Sequence, residues 1–216
     1  MQKSKKNRVV LAILFVVPLI FYLFLSAGIN NFAKLPVVTK TVVDISNIDS
    51  NYTFQKKITI VCFLGDESQS IKGAFFNLNQ KIYKPFYGFK DFQIIALYPD
   101  GNQEEIATLK GELGAFTDMM RWNFIPTSKE EINIIFDSLK TNISLDKNSF
   151  TNYAFIIDKE GSLRGRSDDD DFKDGKLFGY NMISVAELND KMKDDIKVVL
   201  AEYRLALKKN DADREI

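Results

Sequence analysis

Residues 61–73 read VCFLGDESQSIKG. With the preceding residues, KITIVCFL over 57–64 is a continuous apolar and β-branched run. Such a run fits a strand buried on both faces, as in a parallel or mixed sheet. Past the turn at Gly65 and Asp66, Ile71, Phe75, Leu78 and Ile82 recur at spacings of four, three and four, one face of a helix. A second buried strand, FQIIALY over 92–98, follows, and Pro99-Asp100-Gly101 then turns the chain. The corner between the first strand and its helix carries Asp66, Ser68 and Ser70, so the question is what chemistry, if any, sits there.

Residues 103–113 read as a helix. Ser128-x-x-Glu131 is a capping-box pattern, and Ile132, Ile135 and Leu139 continue its helix face. YAFIID over 153–158 is a third strand, Lys159-Glu160-Gly161 a tight turn, and 162–166 the returning partner. A second pattern, Ser184-x-x-Glu187, opens a closing helix whose apolar face is Val185, Leu188, Met192, Ile196, Val199 and Tyr203. Residues 37–46 alternate loosely and read as a first strand or an extended lead-in. The order is strand, helix, strand, helix, helix, hairpin, helix. Alternation of this kind predicts an α/β sandwich with parallel strand pairs.

Composition narrows the chemistry. The 216 residues carry 29 basic and 29 acidic side chains, so no whole-chain charge argues for a nucleic-acid partner. Histidine is absent and Cys62 is the single cysteine. Ser-His-Asp and Cys-His hydrolases are therefore excluded, as is any internal dithiol couple.

The first eight residues, MQKSKKNR, hold four cations and no acid, and residues 9–29 then run without a charge. About 20 apolar residues suffice to cross a bilayer core. The expectation is a retained transmembrane anchor with its basic flank in the cytoplasm and the main domain outside it. A cleavable signal peptide, cut near Ser26-Ala27-Gly28, is the alternative. The expected division is a cytoplasmic flank at 1–8, an anchor at 9–29, a linker and lead-in strand at 30–52, a folded domain at 53–208 and a polar tail at 209–216.

Three stretches carry a resemblance. They are 57–73 (KITIVCFLGDESQSIKG), 121–139 (RWNFIPTSKEEINIIFDSL) and 146–165 (DKNSFTNYAFIIDKEGSLRG). Together with the element order they resemble the SCO/SenC family, thioredoxin-fold proteins that handle copper in cytochrome c oxidase assembly. The resemblance implies a thioredoxin-like sandwich, a central mixed sheet flanked by helices, with an N-terminal transmembrane helix. It further implies location in a bacterial inner membrane with a periplasmic domain, and a protein partner in respiratory oxidase assembly. Members bind copper through two cysteines four apart and one histidine. Those positions fall here on Asp66, Ser70 and Asn148, and all three are replaced. Thiolate and imidazole select copper, whereas carboxylate, hydroxyl and amide oxygens do not. The expectation is a non-catalytic binding or assembly factor with no cofactor.

The remaining candidates each have a plain structural reading. Asp66 and the serines suit a helix start, where they accept backbone N–H bonds; a hard-cation site with Asn148 is the sharper alternative. Cys62 lies in an apolar run and reads as a buried hydrophobe, although a redox or metal-handling site built on it, the methionines or the acids is the competing function. Met119-Met120 reads as packing rather than thioether ligation. Asp168 to Asp171 lacks the EF-hand spacing, since Phe172 stands where an acid or amide is needed, and reads as a solvated acidic loop. Phe86, Tyr87 and Phe89 fall in an expected loop and are a candidate protein or membrane interface. Asn51 and Asn142 head N-x-[ST] sequons that matter only in a eukaryotic secretory path.

Overall fold

The computed structural model describes residues 2–26, 34–66, 68–172 and 175–212, with backbone alone for 2–9, 24–26, 68–71 and 205–212. The chain divides into two units, Met1–Ala33 and Lys34–Ile216. The first is helix α1 (Gln2–Ser26), with Pro18 inside it. Among the described residues no helix is long and apolar enough to cross a membrane. The part of α1 whose side chains are described is residues 10–23, fourteen positions. The transmembrane helix expected over 9–29 is not found among the described residues, and residues 27–29 lie outside them.

The second unit begins with β1 (Val37–Thr39), a 3-10 turn (Ile45–Asn47) and β2 (Ile58–Phe63). Helix α2 (Ser68–Leu78) runs through a π turn (Asn79–Tyr83) into α3 (Lys84–Phe86). Next come β3 (Phe92–Pro99), α4 (Gln103–Gly114), β4 (Trp122–Thr127) and α5 (Lys129–Ser138). The hairpin is β5 (Tyr153–Ile157) and β6 (Leu163–Arg164), followed by the two-residue β7 (Tyr180–Asn181). Helix α6 (Val185–Glu187) passes through a second π turn (Leu188–Met192) into α7 (Lys193–Ala212).

The strands form one mixed sheet in the order β1-β6-β5-β2-β3-β4, with β7 beside β5. β2, β3 and β4 are parallel, with Ile60 opposite Ile94 and Ala96 opposite Phe124. β5 is antiparallel to β2, β6 to β5, and β1 to β6. A strand, a helical crossover and a parallel neighbour, closed on the other side by an antiparallel hairpin and a last helix, is the thioredoxin-like α/β arrangement. β2 and β3 are buried at every position, which is why both read as unbroken apolar runs. Cys62, Ile60 and Ile94 pack on one face with Phe75, Leu109 and Ile196 from α2, α4 and α7. Val61, Phe63 and Ile95 pack on the other with Ile132 and Phe136 of α5 and with Val42 and Phe54.

Local chemistry closes the elements. Ser128 accepts from the Glu131 N–H, and the Glu131 carboxylate accepts in return from the Ser128 N–H, a complete capping box. At the second pattern Ser184 accepts from the Glu187 N–H, but Glu187 turns instead to the Asn181 N–H at 2.8 Å. It thus ties α6 to β7 rather than closing on itself. Asp158, buried at the hairpin turn, accepts from the backbone N–H groups of Glu160 and Ser162. Arg164 donates to Asp158, to Glu202 of α7 and to the Leu35 carbonyl, so the hairpin, the last helix and the start of the unit share one cation. Burial alone would lower the Arg164 pKa; its bonds to the two carboxylates outweigh this and hold it above its ordinary value.

Several expectations are corrected. Residues 122–127 are a strand, parallel to β3, where the sequence order placed only helices between the second strand and the hairpin. Phe86 is not in a loop: it ends α3 and is buried. Val185 is exposed, unlike the rest of its expected face, whereas Leu188, Met192, Ile196 and Val199 are buried.

Candidate functional site

Leu64 bridges antiparallel to Phe150, which brings the end of β2 against the loop before β5. Gly65 has φ of 66°, and a Cβ there would stand 2.5 Å from Phe150 Cβ and 2.8 Å from the Asn148 carbonyl oxygen. Only glycine permits both the left-handed backbone and so close an approach. The facing loop is shaped by Asp146, whose carboxylate accepts from the N–H groups of Asn148 (2.8 Å) and Phe150 (2.9 Å). The bend is finished by Ser149, with φ of 61°. The structure thus seats the Asn148 backbone against the residue that precedes Asp66. Ser70 lies in the first turn of α2, and its side chain is outside the described residues.

Asp66 is engaged from elsewhere. Lys129, the first residue of α5, donates to Asp66 Oδ2 at 2.5 Å, and Asn102 Nδ2 stands 3.4 Å from the Asp66 carbonyl and 3.5 Å from Oδ1. The carboxylate that was expected to serve the helix start is thus bound to the entrances of two other helices. Both ionic partners are partly exposed, so the pair is a modest contribution to stability. Lys129 and Asn102 were missed in sequence reasoning. Lys129 is 63 residues from Asp66, and no local pattern links them.

Copper, which the family resemblance implies, does not fit this set. The three positions offer a carboxylate already paired with an ammonium, a hydroxyl and an amide, all hard or neutral oxygen donors. The soft donors lie elsewhere. Cys62 is fully buried in the core beneath the corner, and burial pushes its thiol pKa far up, so it stays protonated. Met119 packs against that same core and Met120 is exposed. Among the described residues no group of three or more acids or cysteines is placed to hold a metal ion.

The other expected sites resolve individually. The acidic loop is partly internal: Asp169 is buried, and Lys191 bonds Asp169 (2.6 Å) and Asp171 (2.5 Å). Arg166 meets Asp169 and Asp195, and Asp195 also accepts from the Tyr180 hydroxyl at 2.7 Å. Burial alone would raise the Asp169 pKa, yet the Lys191 bond outweighs it and holds the carboxyl below its ordinary value. The loop therefore pins α7 to the hairpin rather than standing free in solvent. Of the aromatic trio, Phe86 is in the core, Tyr87 packs against it, and Phe89 is 48% exposed.

No family model matches the chain, and no curated protein matches it by sequence. Solved structures do. A candidate protein disulfide isomerase from Bacteroides thetaiotaomicron is 13% identical over 78% of this chain and 95% of that one, with a TM-score of 0.49. A SCO1/SenC family lipoprotein from Bacillus anthracis is 14% identical over 79% and 99%, with a TM-score of 0.44. Arabidopsis thaliana ScoI with copper bound is 14% identical over 68% and 89%, with a TM-score of 0.44. Structures similar to this chain thus include SCO/SenC proteins alongside thioredoxin-fold oxidoreductases, and at these identities the likeness is one of fold.

Proposed function

We propose that this chain is a SCO-like, thioredoxin-fold binding or assembly factor that works without redox or copper chemistry of its own. The observation that carries the reading is the corner after β2. An ion pair to Lys129 occupies the Asp66 position, where the resemblance puts the first copper-binding cysteine. The single thiol of the chain is buried nearby and protonated. A competing enzyme that uses Cys62 would need a thiolate reachable by substrate, and this environment works against both.

The reading places the main domain outside the cytoplasm, tethered by the apolar segment 9–29 behind its basic flank. The tether rests on the sequence: MQKSKKNR and the uncharged run that follows. The link to cytochrome c oxidase assembly or copper delivery rests on the three stretches that resemble SCO/SenC proteins. Fold alone does not fix function, so the partner must be caught directly.

The test is cross-linking of the tagged full-length protein in its own cells, purification in mild detergent and identification of what accompanies it. Oxidase subunits or copper-delivery proteins, enriched over a control carrying residues 1–33 alone, are the expected result. Enrichment only of unrelated envelope proteins would remove respiration from the proposal.

A further inference from the structure

The end of the sheet opposite the corner has a composition of its own. β2, β3 and β4 run parallel, so their starts lie together, and antiparallel β5 ends among them. The residues at these ends are Lys56 and Lys57, Lys90, Arg121 and Lys159. Two of them converge on one carbonyl: Arg121 Nη1 lies 2.7 Å and Lys57 Nζ 3.5 Å from the Lys90 oxygen. The acids nearby are fewer. Asp91 is taken by Lys159 at 2.6 Å, Asp194 by Lys197 at 2.7 Å, and Glu160 sits at the hairpin turn.

Against this basic end lies a groove of about 460 Å³. Its apolar wall is Phe86, Phe89, Leu200 and Tyr203, and Lys90, Lys197 and Arg204 stand at its rim. Lys159 lies over the Tyr203 ring, 5.4 Å from its centre. Phe89 is the aromatic left in solvent at the groove mouth.

We infer that this end of the domain docks on an anionic lipid bilayer, with Phe89 entering the interface and the lysines and arginines around the groove meeting the headgroups. The charge excess sets the sign of the partner. Each basic side chain near an anionic leaflet contributes about 1 kcal/mol, a factor of about five in binding. An aromatic beside cations suits the polar–apolar boundary of a bilayer better than an acidic protein surface, which would leave Phe89 without an apolar counterpart. Docking here turns the Asp66 corner, at the other end of β2, away from the lipid. The inference goes beyond the proposed function and does not depend on the tether.

The test uses the full chain reconstituted in nanodiscs of neutral phosphatidylcholine or of a mixture with anionic phosphatidylglycerol. Amine modification is read by mass spectrometry at Lys57 and Lys90, with Lys147, in the loop at the opposite end, as internal reference. Modification of Lys57 and Lys90 is expected to slow at least about threefold in the anionic discs, with Lys147 unchanged. Phe89→Asp, at an exposed position, is expected to restore most of the rate. Equal rates in the two lipids, or a slowing shared by Lys147, would overturn the inference. A chain that binds anionic discs and not neutral ones would keep the docking surface while removing the tether from the proposed function.

Discussion

At the scale of single residues, the corner is governed by what surrounds each side chain rather than by its identity alone. Cys62 shows this most plainly. A lone thiol invites a redox role, yet this one lies within β2, packed in one core with Phe75, Leu109 and Ile196 and with no exposure. Desolvation favours the neutral form, so the thiolate that would react is scarcely populated. Native protein at pH 8 is expected to resist alkylation by N-ethylmaleimide for hours and to react within minutes once denatured, measured by intact mass. Prompt labelling of the folded protein would reopen the thiol as a chemical site. The residue-level reading from sequence was sound for Cys62, because an apolar strand of β-branched neighbours already implies burial. It was incomplete for Asp66. The sequence offered the helix start as its partner, whereas Lys129 arrives from a different element.

At the scale of elements, the informative unit is the pair of turns that meet at Gly65. Leu64 and Phe150 bridge, and the backbone at Asn148 closes on Gly65. The triple substitution Asp66→Cys, Ser70→Cys, Asn148→His would place two thiols at a helix start opposite an imidazole on the facing loop. It is expected to bind Cu(I) in a one-to-one complex measurable by competition with a chromophoric chelator. Binding no tighter than that of the unmodified protein would show that the corner lacks SCO geometry. Elements were legible where burial is continuous or capping is local: β2, β3, β5, α5 and α7 fall close to where the sequence put them. β4 was not. It is the last strand of the sheet order, half its positions are only partly covered or exposed, and it contains Pro126. An edge strand tolerates proline and needs no apolar run, so nothing in WNFIPT announces a strand. The reach of the helix to Phe86 was hidden for another reason. Phe86 continues the spacing of Ile71, Phe75, Leu78 and Ile82 at four residues, but Pro85 just before it reads as the end of a helix, whereas here it sits in the first turn of α3.

At the scale of the whole molecule, what joins the layers is a set of partly buried ion pairs as well as the two apolar faces. Arg166, Asp169, Lys191 and Asp195 fasten α7 and its approach to the segment after β6. Asp169 is held below its ordinary pKa, so its contribution is fully present above about pH 4 and is lost as the pH falls through the lower folded value. Lys191→Met should therefore lower stability by about 2 kcal/mol at neutral pH, read by urea denaturation. The difference from the unsubstituted protein should shrink below about pH 4, as Asp169 takes up a proton. A difference that stays constant into acid would mean that Lys191 acts by packing over Phe172 rather than through its charge.

The amino-acid sequence by itself determined the alternation of buried strands and capped helices, and it ruled out a dithiol or histidine-based site, because periodicity and composition are local or additive properties. Only the tertiary structure decided that Asp66 meets Lys129 and that Gly65 meets the loop 146–150. The same holds for burying Phe86 while leaving Phe89 outside, and for gathering Lys57, Lys90 and Arg121 at one end. Each of these depends on strand direction and register, which bring together residues 30 to 85 positions apart without any repeating signature in the chain between them.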